Sequence, residues 1–66
     1  MKFRIIDNVE TAERLFRDNV PSTVIEQILG REFVQQDSTK PLEVTAEFVG
    51  QPSVWSISPD CVTLLE

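Results

Sequence analysis

The clearest pattern of hydrophobic and polar positions in this chain lies between residues 42 and 48. Apolar residues alternate there with Glu43, Thr45 and Glu47. A period of two is typical of a β-strand with one buried face and one solvated face. The pattern therefore predicts that these three polar side chains point outward together.

Four further segments are rich in residues that favour strands. They are residues 3–7, 32–36, 53–57 and 62–65. Gly50-Gln51-Pro52 is a short connection, which predicts that residues 53–57 pair back antiparallel on the alternating strand as a hairpin. Residues 37–41 are polar and predict a loop, and Ser58-Pro59-Asp60 predicts a tight turn before the last strand.

Between the first two predicted strands the apolar residues follow a helical period. From Val9 to Val20 they recur at intervals of three and four, with charged residues between them. This spacing predicts an amphipathic helix over residues 9–18. Asp7 and Glu10 have the spacing of a capping box at its start.

A second apolar stripe follows directly and predicts a helix of about two turns. Pro21 suits the first turn, Thr23 and Glu26 have capping-box spacing, and Gly30 is a suitable C-terminal cap. The sequence thus predicts a mainly β, α+β domain over residues 1–66. Its five strands carry a one- or two-helix insertion, at about residues 9–29, between strands 1 and 2.

The end of the chain adds a family resemblance. Residues 55–62 read Trp-Ser-Ile-Ser-Pro-Asp-Cys-Val and follow a long alternating strand and a hairpin. This arrangement resembles the end of a Src-homology-3-like (SH3-like) barrel. In that family a β-branched residue, here Ile57, precedes a proline-containing turn of tight helix, and an apolar residue, here Val62, opens the last strand. The resemblance covers about residues 32–65 plus the opening strand, and implies a five-stranded SH3-like small barrel.

Departures from the family limit what the resemblance implies about function. The signalling members use tyrosines to bind polyproline, whereas this chain has no tyrosine. Cys61 stands where the closing tyrosine would be, and Pro59 lies one place later than the family's proline. No polyproline site is therefore implied. Very small barrels of this kind are frequent among accessory proteins of bacteria and bacteriophages, including inhibitors of host enzymes, so the resemblance implies a protein-binding role.

The net charge of the chain limits the classes of molecule that we expect it to bind. Six basic against eleven acidic residues give a net charge of −5, which opposes nucleic acid and favours a larger protein with a basic patch. No apolar run exceeds two residues, so neither a spanning helix nor a signal-peptide core, and no membrane partner, is expected. A single cysteine fits a reducing cytoplasm.

Catalytic chemistry has little support in the sequence. Histidine is absent and cysteine occurs once, which removes His/Cys metal sites and histidine-assisted nucleophiles. The two glycines stand apart, so no phosphate-binding loop is formed. Glu43 and Glu47 are better interpreted as a solvated strand face than as a catalytic pair. We expect no catalytic residue, no metal and no cofactor, and hence no enzyme.

These exclusions leave a small acidic protein-binding module as the leading function. The candidate contact residues lie on the predicted hairpin and are Glu43, Thr45, Glu47, Gln51 and Trp55. Trp55 is either a core residue or a surface anchor, and the helical stripes are either core or a groove for a partner. A structural subunit of a larger assembly is the alternative function, a nucleic-acid-binding barrel is disfavoured by charge, and a homo-oligomer is compatible with the sequence.

Overall fold

Five strands, two α-helices and one 3₁₀ turn follow one another in the computed structural model, which describes residues 1–37 and 39–65. The strands are β1 (Lys2–Ile5), β2 (Glu32–Val34), β3 (Glu43–Phe48), β4 (Gln51–Ser56) and β5 (Val62–Leu64). The helices are α1 (Val9–Arg17) and α2 (Ser22–Ile28), and the 3₁₀ turn is Pro59–Cys61. The predicted α+β class, with five strands and helices inserted after the first strand, is confirmed.

The strands form two antiparallel sheets. One has three strands in the order β2-β1-β5, and the other is the β3-β4 hairpin. Phe3 occupies the centre of the first sheet, opposite Phe33 on β2 and Leu64 on β5. In the described part of the chain no ladder joins the two sheets. The structure therefore shows two sheets but does not show the closed barrel that the resemblance implied.

The predicted helix starts need correction. Asn8, and not Asp7, caps α1, because its side-chain oxygen accepts a hydrogen bond of 2.8 Å from the Thr11 N–H. Helix α2 begins after Pro21 without a side-chain cap, so the predicted capping box at Thr23 does not form. Its C-cap is Leu29 and not the predicted Gly30, whose N–H donates to the Ile5 carbonyl of β1 at 2.9 Å. Gly30 instead lies in the turn after the helix, with a φ of +76° that glycine adopts without the steric penalty of a side chain.

The hairpin turn begins one residue earlier and ends two residues earlier than the predicted connection at residues 50–52. Phe48 pairs with Gln51, so Val49 and Gly50 make a two-residue turn, and Gln51 and Pro52 belong to β4. Both turn residues have positive φ, +54° and +76°, as a type I′ turn requires. Glycine accepts this backbone readily, but a β-branched valine does not. Turn propensity predicted the turn at residues 50–52, and the low turn propensity of Val49 is why its first residue was not predicted.

The remaining boundaries differ from prediction by a few residues. Strand β1 ends at Ile5, and β2 ends at Val34 where residue 36 was expected. The predicted tight turn after β4 is the 3₁₀ turn, capped by the Ser58 side chain. Of the predicted loop at residues 37–41, Ser38 lies outside the described residues.

One cluster of buried side chains joins both sheets to both helices. Its members are Phe3, Ile5, Leu15, Val20, Val24, Ile25, Ile28, Leu42, Val44, Ala46, Ile57 and Cys61. Burial of this apolar surface is the main driving force available to a chain of this size. In the described part of the chain, neither helix has the length or apolar character needed to cross a membrane.

Candidate functional site

An open apolar groove runs between α1 and α2. Its volume is about 550 Å³, and Ala12, Ile25 and Leu29 line it together with the two exposed side chains of Val9 and Phe16. Phe16 is 66% exposed and Val9 73% exposed. Large apolar side chains left beside an apolar groove are typical of an interaction surface rather than of a plain solvated helix face.

The groove exists because α1 carries more apolar surface than the core can cover. Leu15 is fully buried, but its neighbour Phe16 lies about 100° further round the helix and faces solvent. Val9, Ala12 and Phe16 follow a separate stripe at intervals of three and four. The helical period from Val9 to Val20 predicts a single apolar face, to which Leu15 and Phe16 would both belong. The width of the apolar arc was the signal that two faces were present.

Charged residues border the groove on both helices. Glu13 and Arg17 of α1 and Glu26 of α2 line it, so its rim carries two carboxylates and one guanidinium. The chain as a whole is also acidic, with a net charge of −5. The groove therefore combines an apolar floor with a mainly acidic border.

The five candidate residues on the hairpin are divided between two faces. Cross-strand pairs share a face of a sheet, and Glu43, Thr45 and Glu47 pair with Ser56, Val54 and Pro52. All six side chains are exposed, so the predicted outward acidic face is present. Gln51 and Trp55 lie on the opposite face, where Trp55 pairs with Val44. The structure therefore separates the tryptophan from the carboxylates that it was expected to accompany.

Trp55 packs inward rather than standing as a surface anchor. It is partly buried against the core, and its ring meets that of Phe48 edge to face with the centroids 5.6 Å apart. Its indole Nε1 is a buried side-chain donor without a hydrogen-bond partner among the described residues. This placement agrees with the core alternative for Trp55.

Two glutamines that the sequence analysis did not single out cover the outer edge of β3. The Gln27 carboxamide of α2 donates to the Glu47 carbonyl at 2.6 Å and accepts from the Glu47 N–H at 3.0 Å. Gln35 accepts from the Glu43 N–H at 3.0 Å. These side chains occupy backbone positions that a neighbouring strand would otherwise use. No sequence signal marked them, because glutamine is common on exposed surfaces.

A polar hollow at the start of α1 contains the single cysteine. Arg14 lies beside it and is held by Asp18 at 3.2 Å, Asp60 at 3.3 Å and the Ser58 hydroxyl at 3.2 Å, which ties α1 to the 3₁₀ turn. Cys61 is buried, and burial raises the pKa of its thiol. A protonated buried thiol is a poor nucleophile. The hollow is a structural junction in this arrangement.

Metal ligands are not assembled in the part of the chain that the structure describes. Within residues 1–37 and 39–65, no three histidine, cysteine, aspartate or glutamate side chains come together as a cation site. Glu43 and Glu47 are four residues apart on the same strand face, and no third ligand joins them among the described residues.

Comparisons of this chain with protein-family models, curated proteins and solved structures find no significant match.

Proposed function

We propose that this chain is a non-catalytic protein-binding module that docks on a larger protein through the α1–α2 groove. The observation that carries the proposal is the exposed Phe16 at the wall of an apolar groove of about 550 Å³. Aromatic side chains in such positions contribute strongly to protein binding. A binding role also fits the composition of the chain. The sequence has no histidine, and its one thiol, that of Cys61, is buried.

The shape of the groove favours an amphipathic helix as the occupant. A groove between two helices receives the apolar face of a third, with anchors at intervals of three and four residues. The acidic members of the rim, Glu13 and Glu26, favour basic residues on the borders of that helix. The proposed partner is thus a protein that presents a helix with an apolar stripe flanked by lysine or arginine.

The acidic hairpin face has a different part in this proposal. Glu43 and Glu47 are exposed and have no ion-pair partner among the described residues. Such charges attract a basic partner over a distance and raise the association rate more than the affinity. We propose that the outer face of the hairpin attracts the partner and speeds association, and that the groove binds the partner and sets the affinity.

The finer fold proposal is an SH3-like barrel with two inserted helices. Two features support it: the 3₁₀ turn Pro59–Cys61 precedes the last strand, and β1 lies between β2 and β5 as neighbours. The resemblance then extends the proposed role to small accessory proteins of bacteria or bacteriophages that modulate a host protein.

A synthetic peptide tests the groove directly. The probe is a helix of about 18 residues, five turns long, with leucines along one stripe and lysines on both borders. Its binding is followed by the backbone amide shifts of the labelled protein. We expect shifts along α1 and α2, and none from a matched peptide with glutamates in place of the lysines. Shifts confined to the hairpin face would overturn the assignment of the groove.

Paired variants separate the role of the groove from that of the outer face of the hairpin. Phe16→Ser is expected to abolish peptide binding, whereas Leu64→Ser, at a similarly exposed apolar residue on β5, is expected to leave it unchanged. Reversing Glu13 and Glu26 to lysine should weaken binding at equilibrium. The matched reversal of Glu43 and Glu47 should mainly slow association and flatten its salt dependence.

A further inference from the structure

Strand β4 leaves one long strand edge uncovered. It has six residues, and its one ladder partner in the described part of the chain is β3. The outer strands of the three-stranded sheet, β2 and β5, have three residues each. A strand edge presents unpaired N–H and C=O groups that can pair with another chain.

The register shows which backbone groups face outward. The Ile57 N–H donates to the Leu42 carbonyl at 2.8 Å, which makes these two residues a hydrogen-bonded pair. Hydrogen-bonded and non-hydrogen-bonded pairs alternate along an antiparallel ladder. The pairs that β3 makes with Ser56, Val54 and Pro52 are therefore non-hydrogen-bonded pairs. Their backbone groups point away from β3.

The two edges of the hairpin are treated differently. On β3 the outward groups of Glu43 and Glu47 are bonded to the side chains of Gln35 and Gln27. On β4 no described side chain plays that role, and Val54, at the middle of the edge, is 62% exposed. The edge of β4 is therefore available to another strand.

The sequence around β4 also lacks the usual protection of an edge strand. Proteins commonly place charged residues on such edges to prevent pairing. Residues 48–59 contain no charged side chain, although charged residues make up 26% of the chain. Pro52 alone interrupts the edge, because it has no N–H to donate.

We propose that β4 pairs antiparallel with β4 of a second copy of this chain, about a two-fold axis at Val54. In this register each Val54 exchanges both backbone bonds with Val54 of the other copy. Each Ser56 N–H donates to the Pro52 carbonyl of the other copy. Pro52 has no N–H, so one hydrogen bond is missing beside each Pro52. Both positions lie at the ends of the ladder, where a missing bond weakens the pairing least.

Charge favours a second copy over a basic partner at this edge. A basic strand would find no carboxylate on β4, so it would gain little from its charge. Two copies, each with a charge of −5, associate best where their carboxylates are far apart. Pairing through β4 places Glu43 and Glu47 on the two outermost strands. Three strand spacings separate them, about 14 Å, which exceeds the Debye length of about 8 Å in physiological salt.

Sedimentation equilibrium tests the proposal on the full chain. From about 10 μM to about 1 mM, the range of weak association, we expect the mass to rise from 7.5 kDa towards twice that value. Raising the salt concentration should strengthen the dimer by screening the charge of the two copies. In hydrogen exchange the Val54 and Ser56 amides should become protected only in the concentrated sample.

A matched pair of variants identifies the edge. Val54→Lys places two like charges opposite each other at the two-fold axis, so we expect it to remain monomeric. Thr45→Lys lies directly opposite Val54 on the same face and makes the same charge change, but away from the edge. It should still dimerise. A protein that stays monomeric at the highest concentration would refute the proposal. A dimer that survives Val54→Lys and is lost in Phe16→Ser would also overturn it and would assign self-association to the α1–α2 groove.

Discussion

The helical pair and the β3–β4 hairpin use their apolar residues in different ways. In the hairpin a period of two divides the side chains cleanly, with Val44 and Ala46 inward and Glu43, Thr45 and Glu47 outward. In α1 a period of 3.6 spreads apolar residues over a wide arc, and the core covers part of it. The remainder forms the groove. The two regions show that an alternating strand predicts its exposed face better than a short amphipathic helix does.

The largest expected effect separates two neighbours on α1. Leu15→Ala should lower the free energy of unfolding by about 2 to 5 kcal/mol, because it empties a fully buried site. Phe16→Ala should change it by about 0.5 kcal/mol or less, because Phe16 is mostly exposed. Urea unfolding of both variants measures the difference. Similar losses at the two positions would place Phe16 in the core and remove the groove.

The contact between the two regions should be the next most sensitive feature. Gln27→Ala removes both hydrogen bonds to Glu47, and we expect a loss of about 1 kcal/mol and faster exchange of the Glu47 amide. Glu26→Ala is the control. Glu26 precedes Gln27 on α2, and its side chain is exposed and makes no hydrogen bond to another described residue. If both variants lose the same stability, the loss comes from shortening any side chain on α2 and not from the contact with Glu47.

The hairpin turn should gain stability from a single substitution. Val49 has a φ of +54° and is 84% exposed, so Val49→Asn relieves an unfavourable backbone without removing core packing. We expect a gain of about 1 kcal/mol in urea unfolding. Val34→Asn, at an exposed valine in ordinary strand backbone, should give no gain. A destabilised Val49→Asn protein would show that the valine side chain is needed at the turn.

The smallest effect lies in the three-stranded sheet, outside both regions. Hydrogen bonds from Arg4, then from Lys2, hold the pKa of Glu32 below its ordinary value. The unfolded chain therefore binds the proton more readily, and the stability from this carboxylate is present above its ordinary pKa of about 4.3. It is lost as the pH falls towards the folded pKa.

Glu32→Gln should therefore flatten the stability profile slightly below about pH 4.3, because an exposed ion pair contributes little. Asp37 adds acid sensitivity of the same sign, since the Thr39 hydroxyl and N–H lower the pKa of its carboxyl. Glu43→Gln, at a carboxylate without a described ion-pair partner, is the control for the loss of one charge. Equal flattening by both variants would mean that net charge, and not the pairing of Glu32, governs acid stability.

Local patterns of the sequence determined most of the elements of this protein. The alternation at residues 42–48, the helical period from Val9 and the glycine after α2 each depend on residues close together in the chain. Local geometry sets such patterns, which is why the α+β class, the five strands and the outward acidic face were predicted correctly. The turn was predicted at residues 50–52 instead of 49–50, because Val49 adopts a backbone that its own propensity opposes.

Only the tertiary structure decided which surfaces are left uncovered. Phe16 and Leu15 are adjacent and both apolar, and the elements that pack on α1 bury one and leave the other exposed. Gln27 and Glu47 are twenty residues apart, so no local pattern joins them. The division of five strands into two sheets, with β4 at a free edge, likewise depends on pairings between distant residues. Long-range packing selects among locally equivalent choices, and those selections place the groove and the strand edge to which we assign binding.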